Sequence, residues 1–218
     1  MVFRFLIMIL LAAGLGQTSP VKAETLPEDL KESLVTGLEK TYASKSFSAD
    51  FEQVARLTAL DLTEIATGKA WFSHPGKMRW RYDTPDVHEI ITNGTTLWIF
   101  RPEENQVMQG SAAPFFKAGA GGSFLSDISR IRNNYKISLG KTDPKFAELI
   151  LTPKKENPDL KSIGITIDLP SHQIQIVATE NIYGDTTRFY FTHIIFEDPD
   201  PDNFSFTLPE GVSIIEMN

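Results

Sequence analysis

The stretch Gly68-Lys-Ala-Trp-Phe-Ser-His-Pro-Gly-Lys-Met-Arg-Trp-Arg-Tyr82, continued past Pro85 by Asn93-Gly94 and Thr95-Thr-Leu-Trp-Ile-Phe100, is written as two successive β-hairpins with a heavy aromatic load. Pro75-Gly76 and Asn93-Gly94 are turn signals, the second suited to the positive φ angles of a two-residue hairpin. Between them the side chains alternate. Met78, Trp80 and Tyr82 share one face, and Lys77, Arg79 and Arg81 share the other. Three large apolar groups on one face need a cover, and what covers them decides the function.

Working outward, the β pattern extends in both directions. Phe47, Ala49 and Phe51 alternate with Ser48, Asp50 and Glu52, a half-buried strand over 47–53. Strands follow at 64–73, 77–83, 87–92, 95–101 and 104–109, and the pattern stops at Gly110. Residues 111–123 are small, with Phe115-Phe116 embedded and Gly119-Ala-Gly-Gly122 behind them, and read as a flexible connection. Ser123 is placed to cap a short helix bearing Phe124, Leu125, Ile128 and Ile131. Five more strands are expected near 135–139, 146–153, 160–169, 172–180 and 186–197, and a short segment at 203–216 closes the chain.

Ahead of all this, Leu26, Leu30, Leu34, Leu38 and Tyr42 recur every fourth residue, an amphipathic helix with Pro27 in its first turn. The fold class expected is α+β, mainly β. It is a strongly curved antiparallel sheet, or incomplete barrel, of about ten to eleven strands under a lid of short helices.

The N-terminus reads differently. Arg4, the apolar run from Phe5 to Leu15 and Val21-Lys22-Ala23 have the pattern of a secretory signal peptide cut after Ala23. The expected organisation is therefore residues 1–23 as a cleaved leader and 24–218 as one domain. Cleavage removes Arg4 and Lys22, so 21 basic residues become 19 against 28 acids, a formal charge of −9. That balance opposes nucleic acid and anionic membrane surfaces as partners. The chain has no cysteine. It therefore has no disulfide despite an oxidising destination, and no thiol to carry a lipid anchor.

Catalytic signals are weak. Gly140-Lys141-Thr142 ends like a phosphate loop, but Tyr135 stands where that loop needs glycine. Four scattered histidines and no cysteine offer no metal-ligand spacing. Glu197-Asp-Pro-Asp-Pro-Asp-Asn203 lacks the glycine and terminal glutamate of a calcium loop and reads as a rigid solvated connection. The chain is read as a binding protein, not an enzyme, with no cofactor or metal. Fifteen phenylalanines, five tyrosines and three tryptophans are ample for a chain this size, and for any single one of them an ordinary core is the first explanation. In a wide barrel with helices across its mouth they suit an apolar cavity for acyl chains, each buried CH₂ worth roughly 0.8 kcal/mol.

Several of these segments resemble the periplasmic outer-membrane lipoprotein carrier family, LolA. Phe47-Ser-Ala-Asp-Phe-Glu-Gln53 is similar to the family's Phe-x-Ala-x-Phe-x-Gln strand, and 68–80 to its Gly-x-Leu-Trp-x-x-Arg-Pro-x-x-Phe-x-Trp hairpin. Asn93-Gly-Thr-Thr-Leu-Trp-Ile-Phe100, Leu151-Thr-Pro-Lys154 and Phe206-Thr-Leu-Pro-Glu-Gly-Val212 resemble later segments in the same order.

The resemblance implies a monomeric periplasmic carrier of triacylated lipoproteins. It would take them from an inner-membrane ABC transporter to an outer-membrane acceptor, in a Gram-negative bacterium. It places Phe47, Phe51, Trp71, Met78, Trp80, Phe124 and Leu125 at or near the acyl-chain cavity, and helix periodicity adds Leu34, Leu38 and Ile128. The family has a lid-latching arginine before the hairpin proline. Here that position is His74, with Arg79 as a substitute cation. A lipid- or lipoprotein-sensing regulatory domain of the same half-barrel is the alternative, and an exported lipid hydrolase the third reading.

Overall fold

Twelve strands form one open, curved sheet in the computed structural model, which describes residues 27–43, 45–118, 125 and 128–217 (backbone alone for 116–118). The chain begins with helix α1 (Pro27–Tyr42), whose first turn carries Pro27, Glu28 and Asp29 and whose last carries Lys40. Proline is tolerated there, and the charges match the ends of the helix dipole. Six strands follow: β1 (Phe47–Leu57), β2 (Leu62–Ser73), β3 (Lys77–Thr84), β4 (His88–Asn93), β5 (Thr96–Arg101) and β6 (Gln106–Ser111). Helices α2 (Ala112–Ala118) and α3 (Ile131–Asn134) lead to β7 (Tyr135–Thr142), β8 (Phe146–Pro153), β9 (Ser162–Asp168), β10 (Ile174–Glu180) and β11 (Thr186–Ile195). Strand β12 (Ser213–Met217) ends the described chain.

The sheet order is β12-β6-β5-β4-β3-β2-β1-β11-β10-β9-β8-β7. Every sequential neighbour within the two runs pairs antiparallel, and β11 returns to close against β1 with Phe51 opposite Phe191. The connection from β6 to β7 therefore has to travel from one side of the sheet to the other. The β2–β3 pairing, with its register shift between Thr67 and Gly68, brings Gly68 against the β3 backbone, where an added Cβ would lie 2.0 Å from the Arg81 carbonyl oxygen. Glycine is required there by close approach. At the β4–β5 hairpin, Gly94 takes φ +95°, as the Asn-Gly turn demands.

Two expectations are corrected. Residues 112–118, read as part of a flexible connection, form α2, because Ala112 and Ala113 favour a helix and Pro114 falls in its first turn. The closing segment contributes a twelfth strand. β12 pairs parallel with β6, guided by a hydrogen bond from Ser213 N to Asn105 O at 3.0 Å.

Between β11 and β12 the chain crosses the outer face of the sheet. A 3₁₀ turn over Pro201–Phe204 lies against β3 and β4, capped by Asp200, whose side chain accepts from Asp202 N. The acidic run thus serves as a structural connection, seating Phe204 and resting Phe206 against Phe100 at 5.3 Å. The leader expected at 1–23 lies outside the described residues. No helix among those residues is long and apolar enough to cross a membrane.

Candidate functional site

The inner, concave face is where the aromatic residues converge. Strand alternation turns Phe47 and Phe51 of β1, Phe72 of β2, Met78, Trp80 and Tyr82 of β3, and Phe189 and Phe191 of β11 to one side. Phe47 stacks on Phe72 with ring centroids 4.5 Å apart. Trp80 sits at the centre, 4.9 Å from Phe51, 5.4 Å from Phe72, 4.9 Å from Phe189 and 6.1 Å from Phe191. Strands β8 to β10 continue this wall with aliphatic residues, including Leu149, Ile165 and Val177.

Two separate pieces of chain cover the wall. Helix α1 lays down Leu34, Val35, Leu38 and Tyr42, and the β6–β7 connection brings Leu125, Ile128 and Ile131 into the same cluster. Tyr42 also fixes α1 to the start of β10, its hydroxyl accepting from Ile174 N at 2.9 Å. Burial pushes the Tyr42 and Tyr82 hydroxyl pKa values far above the ordinary 10.0, so both rings stay neutral. The Tyr82 hydroxyl donates to Gln53 Oε1 at 2.7 Å.

Outside this packing, Arg132 of α3 bridges to α1. It donates to Glu39 Oε1 and Glu32 Oε2, each at 2.8 Å, and to Thr36 Oγ1 at 3.2 Å. These bonds hold the guanidinium firmly charged. Lys154 Nζ donates to the Arg132 carbonyl at 2.8 Å and ties the bridge to the end of β8.

Of the site residues expected from sequence, Leu34, Leu38, Phe47, Phe51, Met78, Trp80, Leu125 and Ile128 come together in this one cluster, none more than 4% exposed. Phe124 lies outside the described residues. Trp71 is not among them: it stands opposite Arg79 on the outer face, under the side chains of Lys69 and Arg81. Neighbours on a strand point to opposite sides, so with Phe72 inside, Trp71 must be outside. Phe72, Phe189 and Phe191 were missed although their alternation was available in the sequence.

His74 is half-buried in the β2–β3 turn, before a cis Pro75. Arg79 points outward and donates to Glu89 Oε2 at 2.6 Å. The bridge between the two covering pieces is made by Arg132, which sequence reasoning did not single out.

Two surface depressions lie away from this cluster's aromatic centre. One, of about 480 Å³, is lined on the outer face by Arg79, Glu89, Phe100 and Phe206 among others. The other, of about 400 Å³, lies near the β8–β9 loop. Among the described residues no three His, Asp or Glu side chains are grouped to share a metal. What the inner face offers is apolar surface, covered by α1 and the β6–β7 connection.

A sequence model of the family described as "Outer membrane lipoprotein carrier protein LolA" matches residues 43–207, from the end of α1 to just beyond the outer-face crossing. The chain belongs to the LolA family. The match takes in both the aromatic wall and the segment over it. An outer-membrane lipoprotein carrier protein of Chromobacterium violaceum is 27% identical over 217 residues, 98% of this chain and 97% of the relative. One from Methylococcus capsulatus is 26% identical over 219 residues, 98% of each.

Among solved structures, an uncharacterized conserved protein from Thermus thermophilus superposes with TM-score 0.56 at 8% identity, covering 85% of this chain and 98% of that one. The structure of MucB gives TM-score 0.50 at 16% identity, covering 85% of this chain and 65% of that one. These two likenesses concern the fold.

Proposed function

We propose that this chain is a periplasmic carrier that shields the acyl chains of triacylated lipoproteins against its inner face. It would receive them from an inner-membrane ABC transporter and deliver them to an outer-membrane acceptor, acting as a monomer and without catalysis. The observation that carries this reading is the construction of the core. One wall is a rigid aromatic sheet, and its cover is two short pieces of chain joined by surface ion pairs. An ordinary structural core would gain nothing from a cover held that way.

Energy scales fit an exchange between cover and cargo. Withdrawing the seven covering side chains from the wall forfeits roughly 10–20 kcal/mol at about 1.5–3 kcal/mol each. Burying one sixteen-carbon acyl chain returns roughly 12 kcal/mol. A single chain does not clearly outweigh the closed cover, whereas three together do, so the closed state itself selects for multiply acylated cargo.

In this reading the acyl-facing residues are Phe47, Phe51, Met78 and Trp80 on the wall and Leu34, Leu38, Leu125 and Ile128 on the cover. The test incubates the protein with membranes holding a labelled triacylated lipoprotein and an energised transporter. A soluble one-to-one complex supports the carrier; lipoprotein that stays in the membrane overturns it.

A further inference from the structure

Trp80 is 1% exposed, and its indole Nε1–H is buried with no hydrogen-bond acceptor among the described residues. That is unusual chemistry for a core. An unpaired buried donor is costly, and native structures rarely retain one without a use. The neighbouring tyrosines show that this face can satisfy its polar atoms: Tyr82 has Gln53, and Tyr42 has the Ile174 amide. The rings around Trp80, those of Phe51, Phe72, Phe189 and Phe191, carry no lone-pair oxygen to accept its proton. The donor is thus held in a dry aromatic setting, where a hydrogen bond is strongest.

We infer that the Trp80 indole N–H is a polar anchor for a carbonyl oxygen of the cargo, an acyl ester or amide near the head of a hydrocarbon chain. The inference rests on the carrier reading and deepens it. Hydrocarbon alone slides freely along an apolar wall; one donor at a fixed depth sets where the head of the chain stops and how far its tail reaches. It also separates acyl chains from plain alkyl chains of equal length. The bond matches the group that every acyl linkage has and an alkyl chain lacks.

The test uses the mature protein with two synthetic lipopeptides, one bearing three ester-linked palmitoyl chains and the other three ether-linked hexadecyl chains. Wild type should bind the ester probe roughly tenfold more tightly, the worth of one well-made hydrogen bond. Trp80→Phe should lose that preference and bind both probes as wild type binds the ether. Trp98→Phe, on the outer face, should keep it.

If Trp80→Phe does not fold, indole ¹⁵N-labelled wild type gives the same answer. The Trp80 proton resonance should move downfield with the ester probe and stay in place with the ether. Equal binding of both probes by wild type, or a preference that survives in Trp80→Phe, overturns the anchor and leaves the carrier standing. Failure of wild type to bind either probe overturns both.

Discussion

Trp80 and Trp98 belong to the same sheet, two strands apart, and face opposite sides of it. On the outer face Trp98 is half-buried and donates its indole proton to Gln109 Oε1 at 2.9 Å, beside the Arg79–Glu89 pair and under Phe206. On the inner face Trp80 is fully buried among rings and donates to nothing described. Both faces use aromatics, but the outer one is finished as a structural surface, its polar atoms matched by side chains of neighbouring strands. The inner one carries an unmatched donor and a cover in two pieces. The difference separates packing that merely holds the fold from packing that would exchange with cargo.

The largest effect expected along this line is on stability. Phe72→Ala or Phe189→Ala should cost about 3–5 kcal/mol in chemical denaturation, because each removes a fully buried ring. Phe206→Ala on the outer face should cost about 1–2 kcal/mol, since that ring is half-buried. Equal losses would break the distinction between the faces.

Glu89→Gln comes next. It leaves the Arg79 guanidinium, 25% exposed, without its carboxylate and should cost about 1–2 kcal/mol, with cargo binding unchanged. Arg132→Ala should cost about 1 kcal/mol or less, as exposed ion pairs do. Its clearer signature is faster amide exchange in α1 and α3, with β3 and β11 unaffected.

The smallest effects come from pH, and they divide between exposed turns and the inner face. Turn hydrogen bonds hold the Asp143, Asp168 and Asp185 carboxyls below the ordinary 3.8: backbone amides for Asp143, the Ser171 hydroxyl for Asp168, and the Asn181 side chain for Asp185. Their contribution is complete above the ordinary value and is lost as pH falls through the lowered ones. Tyr42 and Tyr82 have the opposite sign. With pKa values raised by burial, their contribution is complete below pH 10 and is lost as pH rises beyond it. Acid unfolding curves should therefore shift on Asp168→Asn, and alkaline ones on Tyr82→Phe.

Strands and their faces were legible because period-two alternation is local: Met78, Trp80 and Tyr82 lie inward as the sequence says. The parallel β12 was not, since a pairing between 213–217 and 106–110 has no local signal. Trp71 was misplaced because family likeness was followed where alternation with Phe72 would have corrected it. Arg132 was invisible for a different reason. A surface arginine gains its meaning from Glu32, Thr36 and Glu39, about a hundred residues away on another helix, and nothing in its own neighbourhood marks it.

The most direct test of an exchangeable cover is to prevent the exchange. Because the chain has no cysteine, Glu39→Cys with Arg132→Cys can be joined across the α1–α3 bridge by a short bis-methanethiosulfonate crosslinker, cleavable by reductant. Uptake of a triacyl lipopeptide is then measured before and after cleavage of the link. The account predicts that the locked protein takes up none and the released protein binds as the unlinked variant does; equal uptake with the link intact would contradict it.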